Sequence, residues 1–292
     1  QEIIDMNFYV LKKLLMNKML NIIVVTVFLI FVIFVIFVAG ISSNFKGLQV
    51  GFNNSSSKIV NKNASLGDAV LVSSETLSMK LIEFGLKRAE NHEQPDVGSN
   101  NKKTIERFNG YVIGNKDSKN IYLTFDVGYE GGYTEKILNI LKENNVKACF
   151  FITGQFYKTN PELVKKMIDE GHIVGNHTVN HPSMPEVLDD EKVKKEVMNL
   201  HDYVKENFNY EMSYIRPPKG EYSERTVKIC KDLGYTTVLW SAAYDDWDVK
   251  KQDRLEYARK MILNNLHNGC VMLLHAVSKD NTALLPEVID EI

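Results

Sequence analysis

Polar side chains with catalytic or metal-binding chemistry follow most of the apolar runs in this sequence. Each run has the length and composition of a buried β-strand, so these side chains would stand at strand ends. An unpaired buried charge costs several kcal/mol, and packing alone therefore gives no reason to place so many at equivalent positions. In chain order they are Asp126, Thr153, His177, His181, Arg216, Asp245, Asp246, Trp247 and His275.

Asp126 follows the apolar run at residues 121–125, and Gly128, Gly131 and Gly132 come directly after it. Because glycine has no Cβ, these three residues would leave space open beside a carboxylate at a strand tip. The alternative is an aspartate that only caps the next helix. The polar residues at the other strand ends favour the catalytic interpretation.

His177 and His181, in the stretch NHTVNHP, stand four residues apart, so one helical turn would point both imidazoles the same way. Such a pair suits Zn, Co, Fe or Mn where no thiolates are present. The three cysteines lie far apart in apolar runs without a CxxC pair, which argues against a cysteine-ligated metal. A histidine pair that is only a surface feature is the alternative.

Arg216 opens the stretch RPPKGEY, in which two prolines leave no backbone donors before Lys219. The N–H groups of Lys219 and Gly220 could then point into a site as oxyanion donors. A proline-rich turn with a surface arginine is the alternative. His275 ends the apolar run VMLLH and suits a proton donor at neutral pH, unless it is a buried core histidine.

A carboxylate, two metal-competent histidines, an oxyanion donor and an acidic histidine together suggest hydrolysis of a carbonyl group by metal-activated water. No GxSxG stretch is present, which disfavours a serine nucleophile. A glycosidase that uses Asp126 and Asp246 as its carboxylate pair is the competing hypothesis, but it would leave the histidines without a role.

The scaffold that brings these residues together is predicted from alternating apolar and amphipathic segments after residue 111. Alternation with short connections predicts parallel strands wrapped by helices. No GxGxxG follows the first strand, so we favour a distorted or incomplete (β/α) barrel over a doubly wound α/β sheet, with the site at the carboxyl ends of the strands. The predicted strands are 121–125, 148–152, 172–175, 212–215, 236–240 and 270–274, and the predicted helices are 133–144, 161–170, 189–207, 223–233 and 253–267.

Residues 22–41 form an apolar run of twenty residues in which Thr26 is the only polar side chain. As a helix they would span about 30 Å, the thickness of a bilayer's hydrocarbon core. Lys12, Lys13 and Lys18 precede this run, which predicts a short cytoplasmic N-terminus at 1–21, a single-pass cell-membrane anchor at 22–41 and a body outside the cytoplasm. A signal peptide cleaved near residues 38–40 is the alternative.

The remaining residues divide into a linker with an N-terminal extension at 42–110, including a short helix within 69–89, and a catalytic domain at 111–292. The sequence ends inside a helix-like run, which predicts a C-terminally truncated domain. Charged residues make up 25% and hydrophobic residues 44% of the chain, as in folded proteins. The formal net charge of −2 argues against nucleic acid as a partner.

Five ordered motifs resemble those of the polysaccharide deacetylases with a NodB homology domain, from about residue 111 to the end. They are TFDVG at 124–128, HTVNH at 177–181, RPPKGEY at 216–222, DW at 246–247 and LLH at 273–275. Longer phrases such as GLKRAENHEQPD and LLHAVSKDN are similar to the delta-lactam-biosynthetic de-N-acetylases, from about Gly85 onward. Those enzymes act on muramic acid residues of peptidoglycan during formation of the spore cortex.

The resemblance implies a role for each matching residue. Asp126 would be the general base and His275 the general acid, and Arg216 and Asp246 would form a pair that orients Asp126. His177 and His181 would hold a divalent metal such as Zn, Co or Mn. The backbone N–H of Lys219 would meet the oxyanion, and substrate contacts are expected from Tyr222, Trp247 and Leu273.

One departure from the family pattern bears on the metal. The second aspartate of the first motif, usually the third metal ligand, is Val127 here. Metal binding would then rest on the two histidines with water or Asp126, and it should be weaker. Besides an N-deacetylase of peptidoglycan, a deacetylase or esterase of chitin-like or xylan-like polymers and a catalytically silent glycan-binding protein remain as alternatives.

Overall fold

The fold is taken from a computed structural model, which describes residues 76–292. The strands in this part of the chain are β1 (Ile82–Glu83), β2 (Ile121–Val127), β3 (Cys149–Ile152), β4 (Ile173–Asn176), β5 (Tyr214–Ile215), β6 (Glu221–Tyr222), β7 (Thr236–Thr237) and β8 (Cys270–His275). The α-helices are α1 (Ser99–Arg107), α2 (Thr134–Glu143), α3 (Gly154–Thr159), α4 (Pro161–Asp169), α5 (Asp190–Phe208), α6 (Glu224–Asp232), α7 (Leu255–Leu263) and α8 (Lys279–Asp290).

Six strands form one parallel sheet in the order β7-β5-β4-β3-β2-β8. The chain after β7 then crosses to the other edge of this sheet. The N–H of Ser241 donates to the carbonyl of Val271 at 2.9 Å, and the N–H of Leu273 donates to the carbonyl of Ala242 at 2.8 Å. These bonds close the sheet on itself, which confirms the predicted distorted (β/α) barrel.

Strand β2 shows how the two faces of the sheet are used. Successive side chains of a strand point to opposite faces. Leu123, Phe125 and Val127 are buried in the core that the sheet shares with the helices. Thr124 and Asp126 therefore face the interior of the barrel. Four of the helices around it begin at side-chain caps, which are supplied by Thr153, Asp189, Ser223 and Ser278.

The segment before residue 111 packs on the barrel through a second cluster, in which Phe84, Ile105 and Phe108 meet Tyr222 and Leu239. The helix predicted within 69–89 is wrong for its described part, because Ile82 and Glu83 pair as a strand with β6. Helix α1 was not predicted, since its sequence is polar and it buries only Ile105.

No helix within residues 76–292 is long and apolar enough to cross a membrane. The predicted anchor at 22–41 and most of the predicted linker lie outside the described residues.

Gly175 in β4 lets the barrel interior support Arg216. A Cβ at this position would lie 2.5 Å from the ring of Phe151, closer than side chains tolerate. The guanidinium of Arg216 also contacts this ring, 4.2 Å from the ring centre. Because Gly175 has no side chain, the ring of Phe151 can lie where it contacts Arg216.

We expect Gly175→Ala to lower the free energy of unfolding by about 1–3 kcal/mol, because it overpacks the ring of Phe151. Urea unfolding followed by circular dichroism measures the change. Gly85→Ala is the matched control, since a Cβ there meets nothing within 4 Å. Equal stability of the two variants would contradict this account of the barrel interior.

Candidate active site

Arg216, directly after β5, is completely buried. Its guanidinium donates to Asp126 Oδ1 at 2.8 Å and to Thr124 Oγ1 at 2.9 Å, both presented by β2. Two further bonds of 3.2 Å reach the carbonyl oxygens of Val238 and Leu239. The alternative of a surface arginine is therefore wrong, and Arg216 holds Asp126 in one orientation.

The environment of Asp126 sets its protonation state. Burial alone would raise the pKa of this carboxyl, but the charge of Arg216, with His177 and His275, lowers the pKa below its ordinary value. Asp126 is therefore ionised at neutral pH and can accept a proton.

His275, at the end of β8, is the ladder neighbour of Asp126 in β2. Its Nδ1 lies 2.8 Å from Asp246 Oδ1, and its backbone N–H donates to Asp246 Oδ2 at 2.6 Å. Burial alone would lower the pKa of His275, but Asp246 and, more weakly, Asp126 raise it above its ordinary value. The expected pairing of Arg216 with Asp246 is wrong, because each of the two holds a different partner.

Asp246 is itself held by residues that the sequence did not reveal. Asn281, in the first turn of α8, donates through Nδ2 to Asp246 Oδ2 and accepts a bond from the hydroxyl of Tyr244. Ser278 and Asn281 have the spacing of a helix cap, but that spacing says nothing about a partner in another loop. These contacts fix the carboxylate that raises the pKa of His275.

His177 and His181 follow β4 in a loop that is not helical, so the predicted helical turn is wrong. Thr178 and His181 have positive φ angles of 65° and 56°, and the loop is held by a 2.8 Å bond from the N–H of Thr178 to Asn176 Oδ1. The loop still brings the two Nε2 atoms within 3.2 Å of each other. Non-glycine residues with positive φ angles are strained, and such residues cluster at functional sites.

The histidine pair has the chemistry of metal ligands. His177 Nδ1 lies 2.8 Å from the carbonyl of Arg216, which places the proton on Nδ1 and leaves Nε2 free to bind. Burial lowers the pKa of both imidazoles, to about 4 in His181, where His177 adds to the effect. Two nitrogens bound to one tetrahedral zinc would lie about 3.4 Å apart, close to the distance found.

The third ligand position of the family pattern is not filled by this chain. Val127 is wholly buried in the core on the helix side of β2. Among residues 76–292, no three His, Cys, Asp or Glu side chains are grouped so that they could hold a metal ion. Asp126 Oδ2 lies 3.4 Å from His177 Nε2, but its other oxygen is bound to Arg216. The residues therefore fit an ion with two imidazole ligands and open positions.

A cavity of about 490 Å³ brings most of the predicted site residues together, large enough for a sugar ring with its acetamido group. Leu273 lies in its wall, and the indole of Trp247, 59% exposed, stands at its mouth with Tyr129. The predicted residues that line it are Asp126, His177, His181, Lys219, Trp247, Leu273 and His275.

The loop after Arg216 agrees with the predicted oxyanion donors only in part. Lys219 has a positive φ of 59°, and its N–H has no acceptor among the described residues. The N–H of Gly220 donates to the carbonyl of Pro217 at 3.1 Å, so its predicted role is wrong. The predicted substrate contact of Tyr222 is wrong too, since Tyr222 is fully buried and its hydroxyl donates to Asn101 at 3.0 Å.

Two other polar residues at strand ends have structural partners. Thr153 caps α3 and donates to the carbonyl of Gly128 at 2.9 Å. Asp245 pairs with Lys251 at 3.0 Å.

Fold and site together define a class. This is a (β/α)-barrel hydrolase with an ionised carboxylate, a histidine of raised pKa and a metal-competent histidine pair around one cavity. Comparison with known proteins gives the family. The family model described as polysaccharide deacetylase matches residues 113–238 of this chain. The chain belongs to the polysaccharide deacetylase family and is an enzyme.

Relatives and solved structures agree with this assignment. The chain is 41% identical over 219 residues to the peptidoglycan-N-acetylmuramic acid deacetylase PdaA of Bacillus subtilis, an alignment that covers 75% of this chain and 83% of that protein. The structure of B. subtilis PdaA, a family 4 carbohydrate esterase, superposes with a TM-score of 0.71 over 74% of this chain and 92% of that one, at 40% identity. A family 4 carbohydrate esterase from Bacillus anthracis gives a TM-score of 0.62 over 74% and 91%, at 37% identity.

We expect Asp246→Asn to move the alkaline limb of the pH–rate profile to lower pH. A general acid must be protonated, and activity is lost as pH rises through its pKa. Asp246 raises the pKa of His275, so removing its charge lowers that pKa. Activity at neutral pH should fall by up to the ~10²–10⁴-fold that general acid catalysis contributes.

Acetate release measured across pH checks this expectation. Asp253→Asn is the matched control, because that carboxylate is 72% exposed and pairs with Lys279 at the surface. An alkaline limb that is the same in Asp246→Asn and in the unaltered protein would show that His275 is not the titrating acid.

Proposed function

We propose that this enzyme removes acetyl groups from N-acetylated cell-wall glycan, with muramic acid residues of peptidoglycan as its substrate. The observation that carries the proposal is the pairing of Asp126 with Arg216 and of His275 with Asp246 at neighbouring strand ends. The pKa of Asp126 is lowered and that of its neighbour His275 is raised in the same cavity, as suits the base and the acid of amide hydrolysis.

The proton transfers follow from this pairing. Ionised Asp126 accepts a proton from the attacking water as the water oxygen bonds to the acetyl carbon. The free N–H of Lys219 donates to the oxyanion that forms on the carbonyl oxygen. His275 then donates its proton to the amide nitrogen as the C–N bond breaks, which releases acetate and leaves the amine on the sugar.

A divalent cation held by His177 and His181 would lower the pKa of a bound water and polarise the acetyl carbonyl. Such assistance suits Asp126, because the low pKa of this carboxyl makes it a weak base by itself. Zn, Co and Mn are the candidates that we propose.

The choice of muramic acid rests on the similarity to PdaA, whose name gives that substrate for the relative. We extend it to formation of muramic delta-lactam in the spore cortex, on the longer phrases that this chain shares with delta-lactam-biosynthetic enzymes. Chitin-like or xylan-like polymers are the second candidate, because a cavity of about 490 Å³ also has room for an acetylated sugar without a lactyl group.

We expect acetate release from amidase-treated peptidoglycan, with a loss of about 10²–10⁴-fold in Asp126→Asn because its amide cannot accept the proton. Asp117→Asn, an exposed carboxylate away from the cavity, is the control. Full activity in Asp126→Asn would remove the base assignment. Turnover of chitooligosaccharides alone would favour the second candidate, and glycan binding with no acetate under added Zn, Co or Mn would favour a silent protein.

We expect about one equivalent of bound metal in the protein after incubation with Zn, Co or Mn, measured by emission spectrometry. His177→Ala should hold much less, because one imidazole cannot retain the ion. His92→Ala, an exposed histidine outside the cavity, is the control and should match the unaltered protein. The metal proposal would be abandoned if the unaltered protein held none.

We also propose that residues 22–41 anchor the enzyme in the cell membrane with its catalytic part outside the cytoplasm, where the glycan lies. The apolar length of the run and the three lysines before it support this placement. The full chain should stay with membranes after an alkaline carbonate wash, whereas a variant lacking 1–41 should be released. Release of both would contradict the anchor.

A further inference from the structure

A second cavity, of about 320 Å³, adjoins the catalytic one and is not used in the chemistry above. The two cavities share four wall residues, namely Trp240, Ala243, Tyr244 and Trp247. A glycan that fills the catalytic cavity therefore has neighbouring groups within reach of the second.

Arg88 is the cation of this second cavity. Its Nη2 donates to the carbonyl of Ala243 at 2.9 Å, so the guanidinium is tethered to the wall that both cavities share. Within residues 76–292 it forms no ion pair with any Asp or Glu. A guanidinium has five donors, and most of those of Arg88 stay available.

The other charge in this cavity does not compete for Arg88. Asp245 is paired with Lys251 at 3.0 Å and with Arg254 at 3.3 Å. The unbalanced charge in the cavity is therefore positive and belongs to a side chain whose planar fork matches a carboxylate.

We propose that Arg88 and the second cavity form a binding subsite for a carboxylate of the substrate, namely the lactyl carboxylate of muramic acid. This inference rests on the proposed function, because it names the group that separates muramic acid from neutral N-acetylated sugars. The lactyl ether is attached to the ring carbon next to the one that carries the acetamido group. A carboxylate there lies close to the acetyl group, as the shared wall of the two cavities requires.

Equilibrium binding tests the subsite without relying on turnover. Three ligands are titrated by calorimetry into the full chain: an oligosaccharide from amidase-treated peptidoglycan, the same oligosaccharide with its lactyl carboxylate reduced to an alcohol, and one that still bears its peptide. We expect the first to bind about tenfold tighter than the reduced form, with a preference that weakens as salt is added.

Arg88→Gln should bring this preference close to one, and Arg88→Lys should give an intermediate value because it keeps the charge but not the fork. Lys87→Gln, the neighbouring exposed cation outside both cavities, should keep the full preference. An unchanged preference in Arg88→Gln, or none in the unaltered protein, would overturn the subsite. Tighter binding of the peptide-bearing ligand would assign the contact to the peptide and overturn it too.

The outcome is separable from that of the proposed reaction. A carboxylate preference that depends on Arg88, without acetate release, would keep the subsite and remove the reaction. Acetate release without such a preference would do the reverse.

Discussion

The ion pair between Arg216 and Asp126 is the interaction on which the rest of the site depends. Arg216 is fully buried, and removing one partner of such a pair leaves an uncompensated charge that costs about 3–5 kcal/mol. Its other donors must also be satisfied, which requires Thr124 from β2 and the carbonyls of Val238 and Leu239 from the segment that closes the barrel. Closure of the barrel and orientation of Asp126 are therefore one constraint.

A second pair sets the opposite protonation state beside the first. The pKa of His275 is raised because Asp246 faces its Nδ1, and the pKa of Asp126 is lowered because Arg216 faces its Oδ1. In the folded state the raised pKa of His275 adds stability below its ordinary value near 6.5, which is lost as pH rises through the folded pKa. The lowered pKa of Asp126 adds stability above about 3.8, which is lost as pH falls through the folded pKa.

The sequence predicted the alternation of strands and helices and most of the residues around the cavity, because burial imposes a period that can be counted. The sequence did not predict which polar side chains pair with each other. Arg216 and Asp246 are thirty residues apart, and which carboxylate meets which cation depends on how closure of the barrel brings the ends of β5 and β8 to the end of β2. The left-handed angles of Thr178 and His181 came from local bonds to Asn176 and Thr178, where spacing alone suggested a helix. The predicted substrate contact of Tyr222 is wrong because its side chain packs against the N-terminal extension on the barrel.

Val127 limits the metal-binding capacity of the site, and the charges of the cavity bear on its substrate. Position 127 faces the core on the helix side of β2, and the chain has no carboxylate at this position of the family pattern, where the third metal ligand is expected. The charges of Asp126 and Arg216 offset each other and Asp246 faces His275, while Lys219 is left without a carboxylate partner among the described residues. A cavity with this balance is suited to the anionic sugar that we propose as the substrate. The cavity thus offers few ligands to a cation, while its charges agree with the negatively charged glycan proposed above.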